Sequence, residues 1–259
     1  TASNPLYSLA MMQNRNLLIG AVLMFMVGVV LTSSMALLPV MLQGLMNYPV
    51  LDAGLLMASR GVGVLLTMAI TGRLLARINL RLWIIVGLAI ISLSFWEMTG
   101  WSLDVSWGRM ALNGFVQGLG MGMMFVPISV ISFSTLAPEH RTDASGIINL
   151  TRSVGSSAGI SLVIALLARN SATSHEDLAG HLTSYSLWLD PRLFTLPGDV
   201  IPTALAALNA EVTRQATMVA FLDDFYVMML MAIVVMPLAL LIRPAAKGSL
   251  SSSEGMMLD

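Results

Sequence analysis

The sequence predicts an all-α, polytopic membrane protein with six transmembrane helices. Hydrophobic residues make up 56% of the 259 and charged residues only 10%, against roughly 25% charged in a soluble globular domain. Mean hydropathy is +0.82. The apolar residues fall into six runs, each long enough at ~1.5 Å per residue to cross ~30 Å of hydrocarbon.

Residues 1–16 end in Gln13-Asn14-Arg15-Asn16 and read as the end of a cytoplasmic linker. Five spans are expected within 17–168. The first, 17–42, carries Pro39 near its far end and closes on Gln43. Asn47-Tyr48-Pro49 is a short turn, and Asp52 is placed to cap the second span, 53–76. A tight basic loop with Arg73, Arg77 and Arg81 leads to the third span, 82–100. The fourth, 109–136, follows the loop 101–107. Pro138-Glu139-His140-Arg141 then turns the chain into the fifth, 144–168. Residues 169–217 are a longer, more polar insertion broken by Pro191, Pro197 and Pro202, read as an extracytoplasmic (periplasmic) loop. Within it Leu205, Leu208, Val212 and Ala216 form an apolar stripe on a short helix, suited to a packed cap or to a partner. The sixth span lies within 218–243, and the Ser-rich tail 244–259 is expected to be disordered.

Arginine placement orients the chain. With Arg15 inside, Arg73, Arg77, Arg81, Arg141, Arg243 and Lys247 are inside too, so both ends are expected to be cytoplasmic. Trp96, Trp101 and Trp107 then cluster at the outer interface as an aromatic belt. The chain begins at Thr1 without Met or a signal-peptide pattern, and is read as a fragment whose natural N-terminus lies upstream.

Several functions are disfavoured. A net charge of −1 with no basic patch gives no case for nucleic acid. There is no Cys, and His140, His175 and His181 have no ligand spacing, so neither a disulfide nor a metal site is expected. No nucleophile–base pair, phosphate loop or paired carboxylates suggests an enzyme.

The chemistry-bearing residues lie inside the spans. In the fifth, Ser145, Asn149, Arg152, Ser156 and Gly159 share one helix face. A guanidinium at the bilayer centre costs at least ~2.5 kcal/mol, so this face should turn toward other helices or a wet cavity. Arg152 and Asn149 sit near the midplane, where transporters place substrate and ion sites. Two readings stay open for them: a gating or substrate-pathway role, or a cation pinned by neighbours that holds the bundle together. The neighbours expected for the face are the glycine-rich fourth span and the Arg60 face of the second. Arg60 is closer to the outer end, where snorkelling to water is the favoured reading. Gly114, Gly118 and Gly122 repeat at four-residue spacing in the fourth span, and Gly155 and Gly159 do so in the fifth, a pattern for close helix packing. Asn113 and Gln117 lie on a face adjoining the first set and are candidate pathway residues. Among acids, Glu97 and the pair Asp223-Asp224 read as interfacial caps rather than proton carriers. Asn149-Leu150-Thr151 matches a glycosylation sequon, but at midspan it is inaccessible.

These residues together resemble a known family. Arg15-Asn16 ahead of the first span, then Leu38-Pro39 with Leu42-Gln43, Ala53-Gly54-Leu55 and Arg60-Gly61, look like its "RN", LP..LQ and AGL….RG elements. Pro138-Glu139-His140-Arg141 with Ala144-Ser145-Gly146, and Asn149-Leu150-Thr151-Arg152 with Gly155-Ser156 and Gly159, look like its PxxRxxASG turn and NxxR…GSxxG helix. The chain resembles the C-terminal half of a major facilitator superfamily exporter, the fourteen-span EmrB/QacA drug–proton antiporter type. It departs from the superfamily's gating-loop pattern at Ala76 and Asn79, which stand where that loop has an acid and a second glycine.

The resemblance implies a six-helix C-terminal bundle in a bacterial inner membrane. It implies proton-driven export of small hydrophobic or amphipathic compounds by alternating access, without a cofactor and with the proton gradient as energy source. Its implied partners are the lipid bilayer, a missing N-terminal transmembrane half, a periplasmic adaptor and an outer-membrane channel. The alternatives carried beside it are an exporter of an endogenous metabolite or siderophore, and a non-transporting membrane scaffold subunit.

Overall fold

A computed structural model of the chain describes residues 14–74, 77–133, 136, 140–181 and 201–241. They are helical with short turns, as the composition predicts. Six helices are long and apolar enough to cross a membrane: α1 Arg15–Leu45, α2 Val50–Leu74, α3 Leu80–Met98, α4 Trp107–Phe133, α5 Arg141–His181 and α6 Ile201–Leu240. Successive helices run antiparallel, so Arg15, Leu74, Leu80, Phe133 and Arg141 mark one end of the bundle. The turn after Met98, with Trp101, marks the other.

Local chemistry sets the boundaries. The Asn14 side chain caps α1 by accepting from the amides of Asn16 (3.1 Å) and Leu17 (3.3 Å). Asn79 caps α3, accepting from the amide of Arg81 at 3.2 Å. Asn47 turns the chain between α1 and α2 with φ 56°, a left-handed conformation that Asn tolerates. The helix after it starts at Val50, which puts Asp52 inside its first turn instead of at its cap. Within α1 the hydrogen bonding widens to π-helical turns at Gly28–Thr32 and Val40–Leu45, the second directly after Pro39, which supplies no amide hydrogen to the ladder.

The bundle is built around α1, the most deeply covered span. It packs on α5 and α4; α4 packs on α2 and α3, and α6 on α3 and α5. The largest fully buried side chains come from α1 (Leu23, Leu37, Met41, Leu42), α3 (Ile84, Ile91, Phe95, Met98), α4 (Met124) and α6 (Phe221, Phe225). In lipid no water is squeezed from between helices, so close contact and small residues must hold them. Thus a Cβ on Gly118 of α4 would fall on the Arg60 carbonyl oxygen of α2, and one on Gly63 would fall on the Phe115 carbonyl oxygen. Gly114 and Gly122 extend the same seam, with Ser59 Oγ and Val64 O each 2.8 Å from where their Cβ atoms would lie.

Two expected boundaries fall inside continuous helix. α5 runs on past 168 to His181, and α6 begins at Ile201, ahead of 218. These extensions pair with each other: Ser171 Oγ lies 3.2 Å from Thr217 Oγ1, and His175 Nε2 lies 3.2 Å from Asn209 Oδ1. Along the expected stripe Leu205 is exposed, Leu208 and Val212 are half-buried and Ala216 is fully buried, so the stripe is drawn progressively into the bundle. The prolines Pro191 and Pro197 and the tail 244–259 lie outside the described residues.

The tryptophans divide. Trp96 and Trp107 are exposed, but Trp101 is only 4% exposed. Its ring meets Phe225 edge-on at 6.3 Å, and its indole donates to Glu97 Oε2 at 3.0 Å. Trp101 is therefore a plug of the bundle end instead of part of a belt.

Candidate functional site

The polar face of α5 splits between a helix crossing and an open cleft. At the crossing α1 meets α5 backbone to backbone. A Cβ on Gly155 would strike the Phe25 carbonyl oxygen, one on Gly28 the Arg152 carbonyl oxygen, and one on Gly159 would lie 2.6 Å from the Val29 carbonyl oxygen. Thr32 Oγ1 and Ser156 Oγ hydrogen-bond across it at 2.9 Å. Gly155 and Gly159 thus pack on α1, beside its first π-helical turn.

One turn back, Ser145, Asn149 and Arg152 point away from this crossing into a cleft of about 180 Å³, walled by Met24 of α1 and by Phe125, Ser129 and Phe133 of α4. Arg152 Nη2 donates to Asn149 Oδ1 at 3.3 Å, and the guanidinium is otherwise exposed. Among the described residues that line it, the cleft has one full charge, the Arg152 cation, beside two phenylalanines of α4. Arg152 stands eleven residues into α5, ~16 Å from its start at ~1.5 Å per residue, about half the ~30 Å thickness of a bilayer's hydrocarbon core. Of the expected neighbours the fourth span is met, through its Phe125–Phe133 segment and not its glycines, while α1 stands where the Arg60 face of the second span was expected; the Gly114–Gly118–Gly122 seam is taken up by α2.

Arg60 is not a snorkelling arginine. It is only 5% exposed, because its own carbonyl lies in the notch of Gly118 and its face of α2 is pressed inward. Its Nη2 reaches Ser34 Oγ of α1 at 3.4 Å, and its Nε and Nη1 have no hydrogen-bond partner among the described residues. It borders a cavity of about 10 Å³ with Trp101, Met110 and Asn113, room for a single water.

Asn113 and Gln117 are buried within the bundle and do not line the Arg152 cleft. Asn113 ties α4 to α3: its Nδ2 donates to Ser94 O (3.0 Å) and Glu97 Oε2 (2.5 Å), and its Oδ1 accepts from Ser94 Oγ at 2.9 Å. Glu97 also accepts from Arg109 Nε, so the residue read as an interfacial cap is the hub of a four-residue network. Asn113→Leu should leave Ser94 and Glu97 short of partners. The expected cost is about 1–3 kcal/mol, seen as a lower thermal-unfolding midpoint of the detergent-solubilised protein. Gln117 is fully buried, and neither of its polar side-chain atoms finds a partner among the described residues.

At the other end Arg73 and Arg77 are exposed and Arg81 is half-buried, so these three basic residues lie around the α2–α3 turn. Asp224 is a further residue whose place differs from the sequence expectation. Asp223 is exposed as an interfacial acid should be, but Asp224 is 1% exposed and sits well inside α6. Only the helical register separates the two neighbours.

Comparison with known proteins agrees with this architecture. Residues 3–171 match the Major Facilitator Superfamily. The chain is 26% identical over 242 residues to the fatty acid resistance protein FarB of Neisseria gonorrhoeae, covering 93% of the chain and 48% of that protein. It is 26% identical to the multidrug export protein EmrB of Haemophilus influenzae, over 72% of the chain and 37% of that protein. It is also 26% identical to the probable multidrug resistance protein EmrY of Escherichia coli, over 87% of the chain and 44% of that protein. The chain spans about half or less of the length of each of these relatives.

Proposed function

The chain belongs to the Major Facilitator Superfamily, a family of membrane transporters, and from that membership we propose that it is the C-terminal six-helix half of a proton-driven exporter of amphipathic compounds. The observation that carries the reading is the Arg152 cleft. A cation held at mid-membrane depth, beside Asn149 and two phenylalanines, is costly in lipid and useful in a substrate path. Support comes also from coverage: α2 and α5 are the least covered of the six spans. Their open sides suit a second bundle, supplied by a preceding half, with the cleft between the two. Rocking of the bundles about that interface then exposes the cleft to each side in turn.

Relatives named for fatty acid resistance and multidrug export favour amphipathic substrates, with acids among them. Arginine placement supports a cytoplasmic Arg141 end, and an inner membrane belongs to the same reading. The paired extensions of α5 and α6 then project on the far side, where an adaptor leading to an outer-membrane channel would meet them.

The test is efflux from cells carrying the complete coding sequence. Expected are further upstream spans and export of an amphipathic dye that stops when the proton gradient is collapsed. A complete protein that ends at these six spans, or dye export indifferent to the gradient, sinks the reading.

A further inference from the structure

The buried carboxyl of α6 has no role in the cleft or in any network described above. Asp224 is buried in α6 three residues after Phe221 (1% exposed) and directly before Phe225 (fully buried), whose ring meets Trp101 edge-on. Neither of its carboxyl oxygens has a hydrogen-bond partner among the described residues. Ser33, Ser92 and Ser132 donate to carbonyls of their own helices and Asn113 bonds Ser94 and Glu97, whereas Asp224, like Gln117 and part of the Arg60 guanidinium, is left without a partner among the described residues. An ionised carboxylate taken out of water without a partner is far more costly than the neutral acid.

No described group offers compensation. α6 packs on α3, α5 and α1. From α3, Glu97 is engaged by Arg109, Trp101 and Asn113. From α5, Arg169 is exposed, and at this end α1 has no charged residue. On α6 itself Arg214 is paired with Glu211, and Asp223 is a second negative charge, turned to the outside. No cluster of carboxylates or histidines able to hold a metal ion exists among the described residues. The ligand that fits this site is a proton.

We propose that Asp224 is a proton-binding site of the transport cycle. As the Trp101–Phe225 contact closes, the carboxylate takes one proton from a hydronium ion at the Trp101 end and is buried as the neutral acid. When that end opens, the proton returns to water and the carboxylate is left hydrated. The inference rests on the proton-driven reading above and locates one coupling acid in this half, at the end opposite the Arg152 cleft.

The test uses the intact transporter in proteoliposomes, with an entrapped pH-sensitive dye reporting protons and an amphipathic fluorescent dye as substrate. Asp224→Asn, an isosteric mimic of the neutral acid, is expected to fold and to pass the dye down its gradient. Its proton movement per dye should drop at least tenfold, and a pH gradient should no longer drive dye accumulation; Asp223→Asn should match wild type. Proton flux in Asp224→Asn equal to wild type overturns the role of Asp224 alone. A wild type that moves dye without protons overturns the proton-driven reading and this inference together. A second measurement needs no variant: dicyclohexylcarbodiimide, which attacks protonated carboxyls in apolar surroundings, should label Asp224 in the wild type, less so as pH rises. Absence of label at every pH overturns the proposal.

Discussion

Gly118→Leu is expected to abolish accumulation of the protein in the membrane, while Gly61→Ala on the facing helix leaves it unchanged. The two glycines are neighbours in space but not in packing. A Cβ at Gly118 would fall on the Arg60 carbonyl oxygen, 3.0 Å from its carbon and 3.1 Å from the Val64 amide nitrogen. These are backbone atoms of a long helix, and they cannot swing aside as a side chain does. α2 and α4 would have to separate along the whole seam from Gly114 to Gly122, losing the contact that replaces hydrophobic association in lipid. Even Gly118→Ala should cost about 1–3 kcal/mol by overpacking. At Gly61 an added methyl would meet nothing within 4 Å, and the helix would gain up to ~1 kcal/mol of propensity from alanine. Fluorescence-detected size exclusion in mild detergent reads both. A monodisperse Gly118→Leu protein at wild-type yield would show that the crossing is looser than its geometry requires.

How far the sequence carries follows the same division between spacing and register. The six spans are legible because hydrophobic length alone dictates them, and the small-residue repeats are legible because close approach demands glycine. Which helix each repeat meets is not legible. The Gly114–Gly122 repeat and the Gly155–Gly159 repeat read alike, yet one receives α2 and the other α1. The Arg152 face meets the expected fourth span, but through Phe125, Ser129 and Phe133, because the glycines of that span are taken by α2, and α1 replaces the second span as the other neighbour. Residues near span ends suffer most. Trp101 and Asp224 carry the composition of interface residues, and only the rotation of α6 against α3 turns them inward, where Phe225 closes on Trp101. Arg60 is a third case. Its distance along α2 permits snorkelling, but the notch at Gly118 fixes its helix face and denies the side chain a route to water. The helical continuation to His181 and from Ile201 was obscured by polarity, since helix ends that pair with each other through polar side chains need no apolar surface on their free sides.

Arg152→Gln is expected to leave the protein folded and to cut efflux by about 10–150-fold, the equivalent of losing one charge-assisted contact of about 1.5–3 kcal/mol. The fold should survive because the side chain contributes little to it. The Arg152 carbonyl, not its guanidinium, makes the crossing with Gly28, and among the described residues the guanidinium bonds only Asn149 of its own helix at 3.3 Å. Glutamine keeps a donor and most of the volume but loses the charge. Arg152→Lys keeps the charge without the planar fork that pairs with a carboxylate, so an intermediate loss is expected for acidic dyes and a smaller one for neutral dyes. Asn149→Ala should cost less than either, since it removes the partner that orients the guanidinium and not the charge itself. The measurements are whole-cell efflux rates, normalised to membrane protein whose thermal midpoint has been read in parallel. A purely packing role predicts the reverse pattern: variants with lowered midpoint and yield whose folded fraction transports at the wild-type rate. Because Gly28, Gly155 and Gly159 hold the α1–α5 crossing through backbone contacts one turn away, the cleft side chain can be changed without touching them, and the two outcomes separate cleanly.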